Sequence, residues 1–194
     1  PKLHKCFFDI EVEIDKDKGF ADPADPFNPV TAIALHLDWI GKTICIALKP
    51  NKMPKERAQE IMANFPDSIL MDTESELLST FLDLIDDADI LTGWNSEGFD
   101  IPYMVNRVTK VMSIDDTRKF CLLGQYPKKR KYERFGKEEE TFDLVGRIHL
   151  DYLQLYKKYN YYHHHYVLLH NMGYQYAQQH LNFLNMLVQA LYYF

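Results

Sequence analysis

The chain has 194 residues, 46% apolar and 26% charged, which excludes collagen-like, wholly disordered and disulfide-scaffold classes and leaves length for one domain with a sizeable core. A net charge of -6 excludes a protein that holds nucleic acid by bulk attraction alone, so any such contact needs a local cluster of Lys and Arg. The three cysteines, Cys6, Cys45 and Cys121, form no CxxC pair, and no run of about 18 apolar residues or hydrophobic leader is visible; a reducing, cytoplasmic setting without a membrane partner is expected.

Cys6 to Ile14 alternates as a strand, with Cys6, Phe8, Ile10, Val12 and Ile14 toward a core and Phe7, Asp9, Glu11 and Glu13 on an acidic face. Residues 15–29, rich in turn formers, read as a surface loop. Strands at 31–37 and 42–48, joined through Gly41, complete a meander. Residues 54–65 look helical, and residues 68–71 fit another strand. Thr73 and Glu76 make a capping box ahead of an amphipathic helix carrying Leu77, Leu78, Phe81, Leu82 and Ile85. A short buried strand at 90–92 ends at Gly93, and a helix follows from about Pro102. Residues 127–142, with Lys128, Lys129, Arg130, Lys131 and Arg134 before Phe135-Gly136 and acids after Lys137, predict a projecting β-hairpin. A strand at 147–150 and a helix from Asp151 follow. Strands first and then strand and helix alternating predict an α/β domain, a mixed sheet flanked by helices.

Composition changes abruptly after Lys158. The last 36 residues hold no Asp, Glu, Lys or Arg, but eight Tyr, five His, four Asn and four Gln. About nine charges would be expected there at the usual one residue in four. The stretch 159–194 is either enclosed by partners or departs from the genetic sequence, and we take the second reading. His163-His164-His165 lacks paired ligand spacing and gives no zinc site.

Two segments carry candidate chemistry. In Phe8-Asp9-Ile10-Glu11, carboxylates two apart on a strand face the same side, about 7 Å apart along the chain. Hard oxygen donors of this kind suit Mg²⁺ or Mn²⁺, although the acids that continue to Asp17 also fit a solvent-facing edge. In Asn95-Ser96-Glu97-Gly98-Phe99-Asp100-Ile101-Pro102, Asp100 is either a second carboxylate site or the cap of the following helix.

Together these segments resemble the first and second exonuclease motifs of the 3′-to-5′ proofreading exonuclease domain of family B DNA polymerases. The resemblance spans about Lys5 to Tyr159, and Leu91 to Arg107, Leu150-Asp151-Tyr152 and Leu155 to Tyr159 are most similar to the tailed-phage branch. It implies a ribonuclease H-like fold over residues 1–194 as a fragment of a larger polymerase, and two-metal hydrolysis of nucleotides from single-stranded or mispaired 3′ ends. It also implies a divalent-metal cage of Asp9, Glu11, Asp100 and a fourth Asp in a helical Y-x-x-x-D motif. The nearest register puts Asn185 at that position and Leu181 at the Tyr. By analogy Asp9 bridges two Mg²⁺ ions, with Mn²⁺ as a substitute, Glu11 holds the first ion and orients water, and Asp100 holds the second.

Phe99, and after it Trp94 and Tyr103, are candidates for stacking on bases. Asn95 either hydrogen-bonds DNA or closes its own loop. Lys128, Lys129 and Arg130 of the hairpin are candidate DNA contacts. Expected partners are primer-template DNA, the remaining polymerase domains and a sliding clamp, in a host-cell cytoplasm if the gene is phage-borne. A genuine Asn185 would favour an alternative, a catalytically impaired DNA-binding module with the same fold.

Overall fold

The structure, a computed structural model, describes residues 2–14, 19–134, 136–160 and 191–192. Its centre is a six-stranded sheet of β1 (Lys5–Val12), β2 (Val30–Leu37), β3 (Lys42–Leu48), β4 (Ser68–Met71), β5 (Ile90–Gly93) and β8 (Ile148–Asp151). Across the sheet they lie in the order β4-β3-β2-β1-β5-β8. β2 runs antiparallel to both β1 and β3, while β5 lies parallel to β1 and β8 parallel to β5. The mixed sheet flanked by helices and the separate hairpin agree with the ribonuclease H-like expectation.

The alternation read in β1 decides what each face of the sheet carries. Cys6, Phe8 and Ile10 pair with Leu37, Leu35 and Ile33, and all six are buried. They pack against helices α2 (Glu74–Leu84) and α3 (Asp100–Val111), where Phe8 meets Phe81 at 5.6 Å between ring centroids. Each such fully buried Leu or Phe contributes roughly 1.5–3 kcal/mol. The capping box starts α2 as expected: the Glu76 amide donates to Thr73 Oγ1 at 3.2 Å and the Thr73 amide to Glu76 Oε2 at 2.9 Å.

On the other face, Asp9 and Glu11 stand opposite Ala34 and Ala32. These small residues join Cys45 and Ala47 in a second core under α1 (Lys55–Met62), and Leu191 packs into the same cluster. Tyr192 hydroxyl donates to the Leu48 carbonyl at 2.9 Å. Leu191 and Tyr192 therefore lie on the carboxylate face of the sheet. Asn185, Leu181 and His163 to His165 lie outside the described residues.

Three expectations need correction. Ile14 is 72% exposed, because β1 ends at Val12 and the alternation no longer dictates side. The loop before β2 is more than a surface loop. Arg107 of α3 donates to the Pro26 and Phe27 carbonyls at 3.1 and 3.0 Å and forms a paired contact with Glu74 at 2.8 and 2.6 Å, strapping the loop down. The third helix begins at Asp100 rather than near Pro102, and Phe99 provides no side-chain cap.

Hairpin strands β6 (Lys128–Arg134) and β7 (Lys137–Asp143) turn around Gly136, which takes the positive φ of 72° that the turn requires. A short 3₁₀ helix (Asp115–Phe120) precedes them, and α4 (Tyr152–Asn160) follows β8 directly. Cys6, Cys45 and Cys121 are buried free thiols. No helix among the described residues is long and apolar enough to cross a membrane.

Candidate exonuclease site

The parallel strands β1, β5 and β8 end at one edge of the sheet, where open α/β sheets place their sites. β1 brings Asp9 and Glu11 there. β5 ends at Gly93, and the turn after it leads to Asp100. Gly93 cannot carry a side chain in this position: a Cβ would lie 2.7 Å from the Phe8 carbonyl oxygen and 3.1 Å from Ser96 Cβ. That close approach lets the loop fold over β1.

Asp100 is buried, and its Oδ1 accepts the Ile10 amide at 3.3 Å. Its carboxylate therefore crosses from α3 to the point of β1 between Asp9 and Glu11 and does not cap its own helix. Burial pushes the Asp9 carboxyl up to about 7, and the charge of Glu11 adds to the rise. Burial raises Glu11 as well. Asp100 is held well above the usual carboxylate range, first by burial and then by the charges of Asp9 and Asp151, against hydrogen bonds from its own amide and that of Ile10.

Asp9 is thus the shared neighbour: the charge of Glu11 acts on it along the strand, and its own charge acts on Asp100 across it. Among the described residues, no three His, Cys, Asp or Glu side chains close on a common ion-sized point. No basic side chain among the described residues contributes to the shifts of Asp9, Glu11 or Asp100. The buried Asp100 beside the half-buried Asp9 and Glu11, without a basic partner among the described residues, is a donor set that fits a hard divalent cation.

The 94–99 loop is organised by a residue that sequence reasoning did not single out. Asp151, buried at the end of β8 beside Gly93, accepts the Asn95 amide at 3.0 Å and the Glu97 amide at 3.1 Å. It also accepts the Leu153 amide in the first turn of α4 at 2.8 Å. The available signal was an Asp at the very start of a predicted helix, where the capping logic used for Asp100 also applies. Asn95 takes a left-handed φ of 58°, a conformation Asn tolerates, and its carbonyl closes the loop by accepting the Gly98 and Phe99 amides at 3.0 Å each. Its side-chain Oδ1 is buried without a partner among the described residues.

The aromatic candidates separate clearly. Tyr103 is fully buried, donates its hydroxyl to the Asn28 carbonyl at 2.7 Å, and is a core residue rather than a stacking surface. Phe99 is half-buried and stacks on Tyr103 at 5.3 Å. Trp94 is 45% exposed and sits 5.9 Å from Tyr156, itself 50% exposed, between ring centroids. Among these, Trp94 and Tyr156 offer the open aromatic surface.

The hairpin bases are not equivalent. Arg130 binds Glu97 of the loop at 2.5 Å and Asp143 at 2.8 Å, so it ties the hairpin base to the site. Lys129 pairs with Glu140 at 2.5 Å across the ladder, whereas Lys128 is exposed and makes no ion pair among the described residues. Glu97, Arg130, Asp143, His149, Asp151 and Lys158 border a cleft of about 360 Å³ between the hairpin and α4.

A family model described as the exonuclease domain of family B DNA polymerases matches residues 1–170. The chain is 29% identical over 180 residues to the DNA-directed DNA polymerase of Escherichia phage RB69, covering 82% of this chain and 20% of that protein. It is 30% identical over 171 residues to the DNA-directed DNA polymerase of Enterobacteria phage T4, covering 78% and 18%. A DNA polymerase of Methanocaldococcus jannaschii is 26% identical over 151 residues, which are 78% of this chain and 8% of that protein. The chain spans a fifth or less of the length of these relatives. With a matching family model over most of its length and the fold that this family implies, the chain belongs to the exonuclease domain of family B DNA polymerases.

Proposed function

We propose that this domain removes nucleotides from the 3′ end of single-stranded or mispaired DNA with the help of two divalent ions, Mg²⁺ or Mn²⁺, as the proofreading unit of a replicative polymerase. The observation that carries the reading is the Asp100 carboxylate at the Ile10 amide, which unites two motifs 90 residues apart. Asp9, Glu11 and Asp100 would hold the ions, and the fourth ligand would come from the C-terminal segment at position 185. Such ions acidify a bound water and stabilise the departing 3′ oxygen.

The chain's own residues do the rest. Asp9 and Asp100 would hold the ions as carboxylates, giving up the protons that burial favours on them in the metal-free chain. Trp94 and Phe99 offer surfaces on which unpaired terminal bases stack, without reading their sequence. Asn95, whose side-chain oxygen is buried without a partner among the described residues, would be a hydrogen-bonding contact to the DNA. Lys128 and Lys129 meet phosphates, and Arg130 holds the hairpin that carries them against the site. The remaining polymerase domains and a sliding clamp are the protein partners, in the cytoplasm of a host cell.

Incubating the chain with a 5′-labelled single strand and Mg²⁺ tests this reading. Stepwise shortening from the 3′ end, absent in Asp9→Ala with Glu11→Ala, is expected. Binding without shortening under any divalent metal would instead identify a catalytically impaired DNA-binding module.

A further inference from the structure

We propose that Asp151 is a positioning residue for Asp100: its carboxylate holds the 95–98 turn from which α3 and the Asp100 side chain project toward β1. The inference rests on the reading of Asp100 as part of the exonuclease site.

The geometry leaves Asp151 little freedom for another task. It is 6% exposed, and its register partner across the sheet is Gly93, the last residue before the loop. Oδ1 takes the Asn95 and Leu153 amides and Oδ2 takes the Glu97 amide, so both oxygens are committed to backbone donors. A carboxylate filled in this way is poorly disposed to hold a ligand and well disposed to hold a backbone.

The held segment leads straight to Asp100. Asn95 and Glu97 flank Ser96 in one loop, with Asn95 in a left-handed conformation that the Asp151 contact helps to maintain. Inside that loop the Asn95 carbonyl accepts the Gly98 and Phe99 amides, and the Ser96 carbonyl accepts the Ile101 amide at 2.9 Å, across the start of α3. Ser96 Oγ also meets His149 Nε2 at 2.9 Å, so β8 grips the loop at a second point two residues earlier. Asp100 lies between these closures and reaches the Ile10 amide. Moving the turn therefore moves Asp100 relative to Asp9.

Charge and position make opposite predictions here. Asp151 and Asp100 repel, so neutralising Asp151 would by charge alone ease the collection of cations at Asp100. Loss of the turn's anchor would do the reverse. Asp151→Asn keeps the size and one acceptor oxygen but presents an NH₂ to one of the turn amides, which it cannot accept.

The test uses the full 194-residue chain. Trimming rates are measured under single-turnover conditions across a Mg²⁺ titration, Mn²⁺ affinity by electron paramagnetic resonance, and folding by circular dichroism. For folded Asp151→Asn, we expect trimming about 100-fold slower, as for a displacement near 1 Å, with weaker Mn²⁺ binding. Wild-type trimming and Mn²⁺ affinity, or tighter Mn²⁺ binding, would overturn the proposal. If Asp151→Asn does not fold, Asp151→Glu carries the test: it keeps both acceptors on a longer arm that shifts the turn, and at least about tenfold slower trimming is expected, with wild-type trimming overturning the proposal. Asp100→Asn is run alongside. If it trims normally, the exonuclease-site reading falls and takes this inference with it; if it is inactive while folded Asp151→Asn is normal, only the positioning role falls.

Discussion

The Asp100 carboxylate accepts the amide of Ile10 at 3.3 Å, which fixes the first residue of α3 against the strand position flanked by Asp9 and Glu11. Asp100→Asn keeps an oxygen for that amide and removes a charge that burial and Asp9 both oppose. Trimming should fall by at least the roughly 100-fold seen on losing a residue that only orients a metal ligand. Without added metal, the melting temperature at pH 8 should rise. Thermal unfolding and a gel assay on one preparation check both.

The pH dependence of the metal-free chain follows from Asp9. Its carboxyl is raised from the usual 3.8 to about 7, chiefly by burial, so between those values the folded protein keeps a proton that the unfolded chain has released. Folding stability therefore declines as pH rises from about 4 to about 7, and the full penalty stands above 7. Asp100, raised in the same direction, extends the effect. Denaturant titrations from pH 4 to 8 should show this fall. Asp9→Asn should flatten it, and Mn²⁺ should bind more tightly as pH approaches 7.

Salt dependence separates the hairpin bases. If Lys128 and Lys129 meet phosphates, replacing each with Ala should lower the slope of log affinity against log salt by about 1 and weaken binding of all sequences alike. Arg130→Ala should act differently, because Arg130 is committed to Glu97 and Asp143. Proteolysis within the hairpin should accelerate in this variant.

Two core substitutions test the packing. Arg107→Ala would leave Glu74, only 12% exposed at its side chain, without its partner, and a loss of about 3–5 kcal/mol is expected from chemical denaturation. Gly93→Ala would force a methyl against the Phe8 carbonyl, costing about 1–3 kcal/mol and slowing trimming, since the same loop carries Asp100.

Much of this architecture was legible in the chain because it is written in periodicity. The alternation of Cys6 to Val12, the Thr73-Glu76 capping box and the Gly136 hairpin each impose a local geometry. What escaped was set by long-range partners. Nothing in the spacing of Asp151 shows that it accepts amides 54 and 56 residues earlier in the chain, and nothing in the loop before β2 shows that Arg107 straps it down. Tyr103 looked like a base-stacking aromatic only while its burial was unknown. The Lys129 and Arg130 charges were visible, but not their partners across the ladder and in the loop.

The most direct measurement is anomalous scattering from crystals of the chain equilibrated with Mn²⁺ at pH 8. A manganese peak in contact with carboxylate oxygens of both Asp9 and Asp100 is expected. Peaks confined to other parts of the molecule, with those two side chains bound to no ion at saturating Mn²⁺, would contradict it.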